Sequence, residues 1–244
     1  MTNGWIIFRR ELAAYFITPM AFVFITIFVA LTGSFTFYIG RFFDRGQATL
    51  EAFFSFHPWL YLILIPAISM RLWADERKTG SIEQLLTLPI TTLEAVVGKF
   101  FAAWFFTGVA LFLTFPLWLT VIYLGDPDNG VIAISYLGSF LMAGSFLAIG
   151  SCMSALTRNQ VIAFILASTV CFVFTMSGID LVLDFFRVWA PDFIVRAMAA
   201  SSFLVRFESL MRGVLNLSDI VFFVSLTTLW LFGTVVAVDM KKAA

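Results

Sequence analysis

Six apolar runs, each close to the length needed to cross a lipid bilayer, divide this chain of 244 residues: Pro19–Gly40, Phe56–Leu72, Phe100–Leu124, Val131–Leu156, Val161–Ile179 and Ile220–Val238. A crossing helix needs about 20 predominantly apolar residues for a hydrocarbon core about 30 Å thick. Phe56–Leu72 is the shortest of the set. Composition agrees, since 61% hydrophobic and 12% charged residues lie far from the roughly 45–50% and about 25% of soluble domains. The expected fold is an all-α membrane protein, one transmembrane domain over residues 1–244 with six transmembrane helices.

Net charge is zero, with 15 Lys+Arg against 15 Asp+Glu, so no basic field points to nucleic acid. Distribution is more informative than the sum. Alternating the loops places Arg9, Arg10, Arg71, Arg77, Lys78, Lys99, Arg158, Lys241 and Lys242 on one side, and Arg41, Arg45, Arg187, Arg196, Arg206 and Arg212 on the other. Four of the second set fall in one long segment, and charges near span ends orient a chain most strongly. Both termini are therefore expected in the cytoplasm, with no cleavable signal peptide, because the first positive charges follow apolar residues. Cys152 and Cys171 lie inside apolar runs and read as small buried hydrophobes.

Residues 1–18 read as an interfacial amphipathic helix, with Trp5, Phe8, Leu12 and Phe16 on one side and Arg10 and Glu11 away from it. Ile7 falls on the polar side. Residues 180–219 mix charge with Phe, Trp, Val and Leu at helical intervals, which predicts two short outer helices, interfacial or re-entrant, broken near Pro191.

Between the second and third runs the chain turns abruptly polar. Residues 73–98 hold the cluster Asp75-Glu76-Arg77-Lys78 and then Gly80-Ser81-Ile82-Glu83-Gln84-Leu85-Leu86-Thr87-Leu88-Pro89. Ser81 with Gln84 has the spacing of a capping box, as does Thr91 with Glu94. Ile82, Leu85 and Leu86 at i, i+3 and i+4 form one apolar edge, and Pro89 stops the turn. A helix this short is marginal alone. It needs a surface to lie on or a partner to enter, the plain alternative being a solvated connector.

The run Glu76 to Pro89, followed by Gly98-Lys99, resembles the coupling-helix signature of permease subunits of type 2 ABC transporters, in particular the branch containing the gliding-motility and nitrous-oxide-reductase-maturation permeases. The resemblance extends over nearly the whole chain, from Arg10-Glu11 and Tyr15 through the six runs to Arg206–Asp219. Family members often carry Asp and Arg where this chain has Asn216 and Ser218, which weakens a salt bridge at those positions. The resemblance implies a cytoplasmic coupling helix between spans two and three, seated in a groove of a separate ABC ATPase that binds ATP and Mg. Glu76, Arg77, Gly80, Ser81, Ile82, Glu83, Leu85, Leu86 and Pro89 are its candidate coupling residues, the apolar edge docking and Glu76, Arg77 and Glu83 setting register. It also implies a bacterial inner membrane, a second permease chain, identical or related, and outward movement of a lipid-linked, glycan-like or hydrophobic cargo. A periplasmic-domain partner driven mechanically, with nothing crossing, is the rival reading.

No phosphate-binding loop accompanies this, since Leu93 stands where a Gly would be required and Phe100 follows Lys99. Nor is there a metal or catalytic set. His57 is the sole histidine and reads as an interfacial or helix-start residue. Asp126–Gly130 is a turn without a calcium loop's alternating ligands. In the fourth run Gly144, Ala148, Ser151 and Ala155 would let helices approach closely, within the chain or across a dimer. No ionisable group lies well inside any run, which argues against ion-coupled transport.

Overall fold

A computed structural model describes residues 3–80 and 90–240, the side chain of Met20 excepted, and among them every regular element is helical. Helix α1 (Asn3–Ile17) ends at Thr18, and Pro19 at the first turn of α2 (Pro19–Ser34) restarts the chain in a new direction. A π turn at Phe35–Ile39 extends α2, after which come α3 (Glu51–Ser55), α4 (His57–Ser69) and α5 (Arg71–Thr79). Next are α6 (Thr92–Phe112), α7 (Phe115–Leu124), α8 (Asn129–Leu156) and α9 (Gln160–Met176). The chain closes with α10 (Asp180–Arg187), α11 (Asp192–Ala200), α12 (Phe203–Met211) and α13 (Leu217–Met240).

Local chemistry sets several of these boundaries. Thr91 and Glu94 form a reciprocal capping box, with the Glu94 N–H donating to Thr91 Oγ1 at 3.2 Å and the Thr91 N–H donating to Glu94 Oε2 at 2.9 Å. Such a cap contributes about 1 kcal/mol. Asp128 accepts from the N–H groups of Gly130 and Val131 and starts α8, while Asn159 accepts from Val161 and starts α9. Pro191 precedes α11 as its N-cap residue, where its missing N–H removes no helical hydrogen bond.

Among the described residues four helical segments are long and apolar enough to cross a membrane: Ala21–Ile39, Thr92–Leu124, Asn129–Leu156 and Leu217–Met240. A fifth arises if α9 and α10, bent by 77° at their junction, are taken together. The run Phe56–Leu72 differs from expectation. Its helix, α4, has 13 residues, a rise of about 20 Å, and ten of them are buried by protein. Its apolarity therefore reflects the interior of the bundle as well as lipid. Residues 180–219 also depart from the two helices expected, since α10, α11 and α12 make three. The additional break falls at Ser201-Ser202, whose N–H groups turn back onto Ala197, Met198 and Ala199 carbonyls.

Helix α8 is the axis of the fold, packing against α4, α5, α6, α9, α12 and α13. Eighteen of its 28 residues are buried. Small residues permit this. A Cβ on Gly150 would lie 1.9 Å from Ser69 Oγ on α4, and one on Gly144 would meet the Trp104 indole at 3.0 Å. Gly144, Ala148, Ser151 and Ala155, read from sequence as either internal or dimer packing, all sit inside the bundle.

Candidate functional site

The polar segment after α4 begins as α5, whose first turn is fixed to α8 by one serine. Ser154 Oγ accepts from the N–H groups of Trp73 at 3.1 Å and Ala74 at 3.0 Å and donates to the Met70 carbonyl at 2.8 Å. One helical turn earlier on α8, Ser151 Oγ accepts from Trp73 Nε1 at 3.1 Å. Trp73 is fully buried, and the Lys99 ammonium lies 5.3 Å above its ring, a cation–π distance.

Lys99, on α6, gathers the remaining charges. Its Nζ donates to Glu76 Oε1 at 2.7 Å and to Glu11 Oε1 at 3.2 Å, with 3% of the lysine side chain exposed and 18% of each glutamate. Arg10 adds a 2.7 Å ion pair to Glu11 and a longer one to Glu76 at 3.9 Å. One ionic junction thus joins α1, α5 and α6, and Trp73 joins it to α8. Burial works against the charged form of Glu11, yet Lys99 and Arg10 outweigh it and hold the carboxyl below its ordinary value of 4.5. A carboxyl held low contributes stability above its unfolded pKa and loses that contribution as pH falls through the folded one. The unfolding midpoint of the purified chain is therefore expected to decline below pH 4.5, and Glu11→Gln to flatten that limb.

The residues singled out from sequence distribute as follows. Glu76 sits on α5 with its carboxylate turned inward to Lys99, whereas the sequence reading aims it at a partner. Arg77, in the last turn of α5, has a buried Nε with no acceptor among the described residues. Burial and then the like charge of Arg158 push its pKa down. Gly80 closes α5 in the left-handed region at φ 73°, where glycine has no Cβ penalty. Ser81, Ile82, Glu83, Leu85, Leu86 and Pro89 lie outside the described residues.

On α1 the packing face is rotated from the expected stripe. Ile7, expected on the polar side, is 5% exposed and sits against Gly98 of α6. Glu11, one helical turn further on, points to Lys99. Trp5 stacks on Phe8 at 5.0 Å, Phe8 meets Phe105 edge-on, Leu12 packs on the core and Phe16 meets Phe106 edge-on. Arg10 stays exposed.

Two polar sites lie elsewhere. His57, the first residue of α4, is fully buried by protein, its Nδ1 3.1 Å from Ser139 Oγ, which is 2.7 Å from the Tyr61 hydroxyl. Phe53 and Phe54 enclose the ring edge-on. At the opposite end of the bundle Arg206 pairs with buried Asp219 at 2.8 Å, a salt bridge one position beyond the Asn216/Ser218 pair whose sequence weakened that expectation. Among the described residues no group of His, Cys, Asp and Glu has the arrangement to hold a metal ion.

With an amphipathic entry helix locked to a polar inter-helix segment on a bundle of membrane-length helices, comparison with known proteins is decisive. Residues 5–188 match the family described as ABC-2 family transporter protein. The chain belongs to the ABC-2 transporter family. The match takes in α1, the ionic junction and α2 to α10. No curated protein matches the chain. ABC-2 membership makes it a multi-pass membrane permease component of an ABC transporter, a component that works with an ABC ATPase and usually has none of its own.

In the sequence of this ABC-2 chain Lys99 stands out as a span-end cation and as part of the Gly98-Lys99 step of the family signature, not as the centre of an ionic junction. Trp73 and Ser154 were not flagged at all. A tryptophan inside a run of charges, and serines three apart on a long apolar helix, were the signals available.

Proposed function

We propose that this chain is the permease subunit of an ATP-driven type 2 transporter of a bacterial inner membrane, converting nucleotide-driven movement of a separate ATPase into rearrangement of its helices. The observation that supports this reading is the ionic junction. Helix α5 leads to Ser81–Pro89 in sequence; its first turn is fixed to α8, and Glu76, in its second turn, is tied through Lys99 to α6 and α1. A push on the segment after Gly80 would reach α8 through the serine hydrogen bonds, and α6 and α1 through charge-assisted contacts, which are stronger than neutral ones.

In this reading six spans cross the membrane, α4 being the short one held within protein, and both termini and the 73–98 region face the cytoplasm. Ile82, Leu85 and Leu86 enter the ATPase groove, Glu83 and Arg77 set register, and Glu76 transmits inward. ATP and Mg reside in the partner, and a second permease chain, identical or related, completes the transporter. The polarity is that of an exporter, with kinship to the gliding-motility and nitrous-oxide-reductase-maturation branch.

Co-purification of the full chain with its ATPase tests the coupling assignment. Leu85→Asp and Glu83→Arg are each expected to reduce recovery of the ATPase by tenfold or more, roughly the effect of losing a buried anchor. Undiminished recovery from both would remove Ser81–Pro89 from the interface. Reconstituted vesicles then separate transport, with ATP-dependent movement of a lipid-linked or hydrophobic cargo, from mechanical drive of a periplasmic partner.

A further inference from the structure

A cleft of about 390 Å³ opens beside the ionic junction, between α1 and α2 on one side and α4, α5 and α6 on the other. That volume is within the usual range for small-molecule sites, about 300–1,000 Å³. Its two ends differ in kind. One is ionic, lined by Arg71, Asp75, Glu76, Lys99 and Glu11, and the other is walled by Phe24, Ile27, Leu64, Ile68 and Phe106. Val23 and Ile27, which line it on α2, are exposed. The opening is therefore sideways, through the face of the segment Ala21–Ile39 that is fit to cross a membrane. The ionic end lies where that apolar segment begins, at the level of lipid headgroups. From Ala21 to Ile27 the apolar wall rises about 9 Å into the acyl region.

The charges specify the headgroup. Lys99 is already engaged by Glu11 and Glu76. Arg71 is different: its side chain is 42% exposed and its ion pair to Asp75 is long, at 4.0 Å. A guanidinium carries five N–H donors in a fork that matches phosphate, so Arg71 retains donors for one. Asp75 and Glu76 flank it and disfavour a purely anionic ligand; Asp75 Oδ1 already accepts from Gln160 Nε2, which leaves Oδ2, held by Arg71 only at 4.0 Å, to accept from an ammonium. A molecule that satisfies both ends of this mouth carries phosphate, a primary ammonium and an acyl chain.

We propose that the cleft holds one zwitterionic phospholipid of the phosphatidylethanolamine class, its phosphate on Arg71, its ammonium toward Asp75 and Glu76, and one acyl chain along Phe24, Ile27, Leu64 and Ile68. The assignment concerns occupancy and does not depend on whether lipid is transported.

Native mass spectrometry of the delipidated full chain, titrated with phosphatidylethanolamine, phosphatidylcholine or phosphatidylglycerol, tests it. The expected result is one phosphatidylethanolamine retained, at about tenfold higher affinity than either other lipid, the scale of one charge-assisted hydrogen bond. Arg71→Gln is expected to remove about tenfold of that affinity. Ile27→Trp, an exposed position that leaves folding intact, is expected to do the same by filling the apolar wall. Equal retention of all three lipids, competition by inorganic phosphate as effective as by the lipid, or unchanged binding in both variants would each overturn the proposal. If Arg71→Gln fails to fold, Ile27→Trp and the headgroup comparison still decide it.

Discussion

Replacing Lys99 with methionine is expected to destabilise the chain by about 3–5 kcal/mol, the range for breaking a buried ion pair by removing one partner. Methionine keeps much of the side-chain length and fills the space over Trp73, so the loss isolates charge rather than volume. In the native chain Glu11 and Glu76 both aim Oε1 at the ammonium, at 3.2 and 2.7 Å. Without it two partly buried carboxylates face each other, with Arg10 offsetting them from an exposed position. The triple change Lys99→Met, Glu11→Gln and Glu76→Gln should recover most of the stability, because removing all members of a buried ionic set is far less costly than removing one. Denaturation in mixed micelles, followed by tryptophan fluorescence, measures both. A single variant as stable as the wild type would mean that Lys99 is solvated and the junction is weak. If the triple variant is stable yet fails to stimulate its ATPase, the junction's role is transmission rather than folding.

The elements legible in the sequence are those whose cause is local. The Thr91/Glu94 box, the Asp126–Gly130 turn and the break at Pro191 each depend on residues within a few positions, and the structure carries them. The long apolar segments were legible for the same reason, being a property of each run alone. Elements that depend on distant partners were not. Hydropathy cannot distinguish lipid from protein interior, so the run Phe56–Leu72 does not reveal that its helix α4 is short and mostly covered by its neighbours. Lys99 finds its carboxylates 23 and 88 positions away, which no periodicity reveals, and a buried lysine at a span's edge looks the same in sequence as a topogenic one. Ile7 was misplaced because α1 packs along Gly4 and Gly98, where the absence of side chains, rather than a stripe of large ones, sets the contact face.

The same principle, that close backbone approach governs this fold, makes Gly150 the position where the smallest change should have a large effect. On α8 it faces Ser69 near the end of α4, and a Cβ added there would lie 1.9 Å from Ser69 Oγ and 2.5 Å from Ser69 Cβ. Ordinary carbon contacts are about 3.5–4.0 Å, so the two helices would have to separate by more than an ångström. Rotating the serine hydroxyl cannot relieve this, since the second contact is to Cβ, which moves only with the backbone. Within a membrane no hydrophobic drive restores the contact, because helix association rests on packing and hydrogen bonds. Gly150→Ala is therefore expected to cost about 3 kcal/mol, the upper end of typical overpacking, even though alanine favours helix. Adding Ser69→Gly removes both clashing atoms and should return stability to within about 1 kcal/mol of wild type, the residual being the helix cost of glycine. Separation at this crossing also displaces Met70, whose carbonyl accepts from Ser154 at the start of α5. Gly150→Ala at a temperature where it still folds should consequently weaken ATPase stimulation, and the double variant should restore it. Stability restored without stimulation would place the Ser154 contact outside the transmission path.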